Sequence, residues 1–234
     1  KIRSQYDPKK GRRVRSSIEA IEDRMLEHGE CEQVVAYLRQ RALHFEAQYQ
    51  AGLEKQEVME GAWMDYLWIA MLTYGGMRIR EIYQMEYRGQ RLYYDESDNC
   101  YWCKLFPAEH KTSGDRAYPL FPGPLQAQLT ADFTHFWQNV RPNWPHQFVF
   151  YQRGTSQNRF INRGKPIIER PSHIIRRIMF NASRELFGED KAKAMTPHDF
   201  RRSSATWFAH YGHIEDVSIF AQLHGHSVNM LLDL

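Results

Sequence analysis

In the stretch Thr196-Pro197-His198-Asp199-Phe200-Arg201-Arg202, a hydroxyl residue and a proline precede a histidine and an arginine spaced three apart. Threonine is a natural N-cap and proline is tolerated at the first helical position, so a helix is predicted to start here with His198 and Arg201 on one face. The unpaired N–H groups of a helix start favour an anion, and a guanidinium fork matches the oxygens of a phosphate. Alone, the pair reads rather as a structural histidine beside a surface arginine. Other segments supply similar residues. Arg78 follows the glycine turn Gly75-Gly76, with Glu81 three positions on, where by itself it reads as an ion-pair partner of Glu81 or a cap of the preceding helix. Lys111 lies in a turn five residues before Arg116, with Lys104 as a second hairpin lysine, and His226 follows Gly225 near the end of the sequence.

The elements that carry these residues are mostly helical. Residues 17–50 read as two helices broken near His28-Gly29-Glu30-Cys31, because Ile18, Ile21 and Met25, then Val34, Val35, Leu38, Ala42 and Phe45, recur at helical spacing. A third helix spans 54–74 and stops at Gly75-Gly76; its Trp and Tyr residues from 63 to 74 read as core rather than as a base-stacking platform. A short helix follows over 77–85. Between 87 and 120 the period becomes two, around the turn Asp95–Asn99, which predicts three antiparallel strands. Helices return at 122–140, 171–187, 197–211 and 214–222. The fold class expected is mainly α with a small antiparallel β-sheet, α+β.

Composition narrows the function. With 234 residues, 42% hydrophobic and 25% charged, the chain has enough apolar material for a sizeable core. No run approaches the eighteen or so apolar residues that a membrane helix needs, so an intracellular protein with no membrane partner is expected. Cys100 and Cys103 form a CxxC without a second pair at metal-ligand spacing, and they read as ordinary hairpin residues. The net charge of +3 is small but segregated: residues 17–60 hold ten acids against four bases, and 141–202 hold thirteen bases against five acids. Arg159, Arg163 and Lys165, then Arg176 and Arg177, punctuate this basic stretch as a phosphate backbone requires; Arg80 and Arg202 are further DNA-contact candidates, each also readable as a solvated charge.

Four strings in order, YGGMRIREI, KTSGDRAYPL, PHDFRRSSAT and LHGHSV, resemble the tyrosine recombinases of the phage-integrase and Xer-like type. In that family a TGLRISEL-like box, a hairpin lysine five residues before an arginine and a Pro-Leu pair, an HxLRH motif and an LGHS motif follow one another. The resemblance covers roughly the last 180 residues, so 53–234 is expected to be the catalytic domain. Residues 1–52 are then a basic lead and a helical segment, a linker or remnant of a core-binding domain, or an extra helical layer on the catalytic domain.

The resemblance implies a site-specific recombinase or integrase that cuts and rejoins double-stranded DNA through a 3′-phosphotyrosine. Arg78 and Arg201 would hold the nonbridging oxygens, His226 would donate a further hydrogen bond, Lys111 would protonate the leaving 5′-oxygen, and His198 would accept the proton of the nucleophile or bind phosphate. No metal, ATP or other cofactor is implied. The expected partners are DNA, three further copies in a tetramer on paired sites, and accessory directionality factors. In a bacterium the expected location is cytoplasmic, on the nucleoid. Family spacing puts the nucleophilic tyrosine about nine residues after His226, just past Leu234, so residues 1–234 alone are expected to be inactive. Tyr211, the last tyrosine of the sequence, reads as packing on the HxxR helix. A noncatalytic DNA-binding relative, a regulator or accessory factor, is the alternative; a type IB topoisomerase fits the motif order and size less well.

Overall fold

The computed structural model describes residues 25–87, 92–105, 116–121, 125–153, 163–167, 172–213 and 216–224. Helix α1 (His28–Gln50) starts where Glu27 N–H donates to the Glu30 carboxylate at 3.0 Å, and buries Cys31, Val34, Val35, Leu38 and Ala42 along one stripe. The expected break near His28 is this helix start; the segment predicted to be helical before it lies largely outside the described residues.

Helix α2 (Gln56–Tyr74) is buried on all sides from Met59 to Thr73, and α1 packs along its length. An α-helix without a polar face belongs in the centre of a fold. Trp63, Tyr66 and Trp68 are accordingly at most 1% exposed, as core rather than as a stacking platform. Its two buried acids each meet a partner, since an unpaired buried carboxylate costs several kcal/mol. Glu60 accepts from Tyr151 Oη at 2.7 Å and from Arg163 at 2.8 Å, and Asp65 accepts from Arg153 at 2.5 Å.

After the short helix α3 (Ile79–Tyr83), strands β1 (Leu92–Asp95), β2 (Cys100–Leu105) and β3 (Arg116–Pro119) form an antiparallel sheet in the order β1-β2-β3. Leu92 pairs with Cys103, and Cys103 with Tyr118, so one buried row crosses the sheet. The turn closes through Asp95, whose carboxylate accepts from Ser97 N–H at 2.9 Å. Cys100 and Cys103 are buried free thiols, in keeping with their reading as hairpin residues.

Helix α4 (Gln126–His135) does not run uniformly to residue 140, as the pattern predicts. It widens into a π-helical turn over Phe136–Val140, closed by Arg141 N–H donating to Phe136 O at 2.8 Å. Phe136 and Val140 are both buried, and Arg141 precedes Pro142, which disfavours a further helical residue. Helices α5 (Ser172–Phe187), α6 (Pro197–Tyr211) and α7 (Val217–His224) complete the order; α5 and α6 both pack on α2 and α1. Among the described residues no helix is long and apolar enough to cross a membrane.

Candidate active site

The C-terminal end of α2 is built for a tight turn. A Cβ on Gly75 would stand 2.9 Å from Met71 O and 3.2 Å from Leu120 O, and both are backbone atoms that cannot swing away. Gly76 has φ +54°, the left-handed region that favours glycine. Met77 then plugs the core at 0% exposure, which brings the chain back out at Arg78. There Arg78 becomes the cap of α3: its N–H donates to Glu81 Oε2 at 2.7 Å and its Nη1 to Oε1 at 3.1 Å. Glu81 is 2% exposed in its side chain and Arg78 27%, so a buried carboxylate steers a guanidinium that still reaches solvent. The ion-pair reading of Arg78 is the one this geometry shows, and it leaves the guanidinium open toward solvent.

The start of α6 faces this turn. Asp199 is buried and accepts from Thr196 N–H at 2.8 Å and from Thr196 Oγ1 at 2.7 Å, with Pro197 at the first helical position. This reciprocal cap fixes the first turn, from which His198 and Arg201 project. Arg201 is buried, and its Nη1 donates to the carbonyl of Gly76. One hydrogen bond therefore ties the HxxR helix to the glycine turn, 125 residues apart in sequence.

His198 reports the charge of the assembly. Burial lowers its pKa first, and Arg202 and then Arg201 lower it further; Asp199 opposes them more weakly, and Arg78 adds the smallest lowering. Cations from two separate segments thus act on a single imidazole. A helix N-terminus, three guanidiniums and an imidazole held toward its neutral form are groups that suit a compact anion with several oxygens.

The remaining candidates are dispersed. Arg202 is exposed, 4.0 Å from Asp199, and is the strongest of the charges that lower the His198 pKa. Arg80 lies on the exposed side of α3, its Nε donating to Gln84 at 2.9 Å. Arg163 is engaged elsewhere: it pairs with Glu60 and lies over the Trp144 ring at 5.6 Å, beside the N-terminal half of α2. Lys165 is exposed two residues on, and Arg176 and Arg177 are exposed on α5. Lys104 lies on β2 opposite Ala117. Lys111, Arg159 and His226 lie outside the described residues. Tyr211 is 71% exposed at the far end of α6, so the expected packing role is corrected; ten residues separate it from Arg201, about 15 Å along a helix.

Two positioning groups escaped the sequence reading. Asp199 carries a signal, since Thr196-x-x-Asp199 is a capping pattern. The Gly76 carbonyl carries none, because a backbone acceptor has no residue type.

The chain matches the family described as the phage integrase family over residues 25–230. No curated protein sequence matches it. Its fold is similar to the crystal structure of XerA recombinase, with a TM-score of 0.51 and 15% sequence identity, over 89% of this chain and 56% of the XerA chain. The chain therefore spans little more than half of that protein, and at this identity the likeness concerns the fold.

Proposed function

The chain belongs to the phage integrase family of tyrosine recombinases, and from that premise we propose that it cuts and rejoins double-stranded DNA at specific sites through a 3′-phosphotyrosine. A tyrosine following Leu234 attacks the scissile phosphorus, the P–O bond to the 5′-oxygen breaks, and the phosphoryl group becomes an ester of the tyrosine. Rejoining reverses the step, with the freed 5′-hydroxyl as nucleophile, so no external energy source enters.

Each side chain has a place in that reaction. The five-coordinate phosphorus gathers negative charge, which Arg78 and Arg201 meet with planar forks already oriented by Glu81 and by the Gly76 carbonyl. His198, held toward its neutral form by burial and by its cationic neighbours, takes the tyrosine proton. Lys111 delivers a proton to the leaving 5′-oxygen, and His226 donates to a nonbridging oxygen. The protein works as a tetramer on paired sites.

The observation that carries this reading is the bond from Arg201 to Gly76, which joins the two arginine-bearing segments beside His198. The test is a duplex nicked near the scissile phosphate, incubated with the full natural protein. A covalent protein–DNA adduct is expected, with the modified residue located by peptide mass spectrometry to a tyrosine after Leu234. Salt-sensitive DNA binding without any adduct refutes the recombinase reading in favour of a noncatalytic DNA-binding relative.

A further inference from the structure

A cavity lined by arginines lies beside the N-terminal half of α2. It has a volume of about 300 Å³, at the small end of ligand sites, and Arg41 of α1, Asp65 of α2, Arg153, and Arg177 and Asn181 of α5 line it. Gly61, also on its wall, is 15 residues from Gly76, which puts the cavity about 22 Å along the helix axis from the catalytic turn.

The charges inside do not close on one another. Asp65 is shared between Arg153 at 2.5 Å and Arg41 at 3.8 Å. Glu57, a second carboxylate of the lining, stands 3.8 Å from Arg163, a cation outside it. Arg177 has no carboxylate among the described residues, and the Nε–H of Arg153 is buried without an acceptor there. A buried donor left unpaired costs about 1–3 kcal/mol, so an acceptor is wanted. Arg177 and Asn181, four apart, present a guanidinium and an amide from the same face of α5. Three guanidiniums against two carboxylates leave the lining positive, and their forks suit an anionic group with at least three oxygens.

We propose that this cavity binds a phosphoryl group, carried either by the DNA backbone or by a small phosphoester. The inference does not rest on the recombinase chemistry, since none of these residues belongs to the catalytic set; Arg177 alone is among the DNA-contact candidates of the basic stretch. The probe is pyrophosphate, followed by NMR at the side-chain amide of Asn181. A saturable shift is expected, weakened about tenfold or more in Arg177→Gln. Arg184→Gln, the same charge change on α5 outside the cavity, and Arg78→Gln, in the catalytic set, should leave it unchanged. A 30-bp duplex that displaces pyrophosphate from Asn181 identifies the DNA backbone as the source; a duplex that binds without displacing it identifies a small phosphoester. Absence of saturation at Asn181, or equal weakening by Arg177→Gln and Arg184→Gln, overturns the proposal.

Discussion

Arg201 anchors Gly76 in the structure and holds phosphate oxygens under the proposed reaction, and substitution can separate the two tasks. In Arg201→Ala the carbonyl of Gly76 loses a charged donor in a buried setting, which costs about 1.5–3 kcal/mol of stability. For a chain of this size that corresponds to a fall in Tm of roughly 3–12 °C. Loss of one oriented donor to the transition-state oxygens costs about 10²–10³ in rate. Arg201→Lys keeps the charge but presents a single ammonium in place of a fork, so it cannot serve Gly76 and the phosphate together. Its Tm should lie between wild type and alanine, with cleavage as slow as in the alanine variant. The assay is single-turnover cleavage of the nicked duplex by the full protein, beside thermal melts and DNA binding at matched salt. Nonspecific binding should weaken by little, because removal of one cation lowers the salt slope by about one. Wild-type cleavage by Arg201→Lys would show that a point charge suffices, and an unchanged Tm in Arg201→Ala would show that the Gly76 anchor holds nothing.

Further outcomes follow from the same geometry. His198 should titrate below its ordinary value near 6.5 in an NMR pH series, and Arg202→Gln, which removes the largest charge acting on it, should move the midpoint upward; no movement refutes the electrostatic account. The sign for stability is fixed by the lowered folded-state pKa: the unfolded chain takes up a proton first, so stability declines as pH falls below about 6.5, and His198→Gln should flatten that part of the pH–stability curve. Glu81→Gln removes the carboxylate that orients Arg78 and should cost about 1–3 kcal/mol in denaturant melts together with a loss of adduct formation; wild-type behaviour in both assays rejects the positioning role. Gly76→Ala should cost about 1–2 kcal/mol for its left-handed backbone, and Gly75→Ala more, because its Cβ meets fixed carbonyl oxygens; melts that rank the two in the opposite order contradict the turn geometry.

What the sequence reveals depends on how local the cause is. The start of α6 is legible because Thr196, Pro197 and Asp199 cap it within one turn, and the sheet is legible because its alternation sits between turn residues. The π-helical turn is not, since its causes are the joint burial of Phe136 and Val140 and the proline beyond Arg141. Arg163 shows the same limit at the level of function. Its place in a basic run points to DNA, whereas a carboxylate 103 residues away, buried under Tyr151, holds it at the N-terminal half of α2. Arg41 and Arg153 drew no attention for that reason too: the Asp65 they share is distant from both in sequence.

Helix α2 explains how one chain can hold the two proposed anion sites. Being apolar on nearly every side, it is clamped by α1, α5 and α6 and cannot rotate without exposing core. Its C-terminal turn delivers Gly76 to Arg201 and Arg78 to Glu81, while its N-terminal half delivers Asp65 to Arg153 and Arg41. A guanidinium bound to backbone or to a buried carboxylate has already lost most of its rotamer freedom, so an arriving phosphate does not have to order it. Orientation at both ends therefore comes from the same buried cylinder, and a core substitution such as Trp68→Ala, which removes the ring beneath Arg153, should loosen the distal cavity as well as lower the Tm. Pyrophosphate binding at Asn181 measured on that variant below its own Tm checks the point: affinity equal to wild type would mean that the cavity is organised by its surface residues alone.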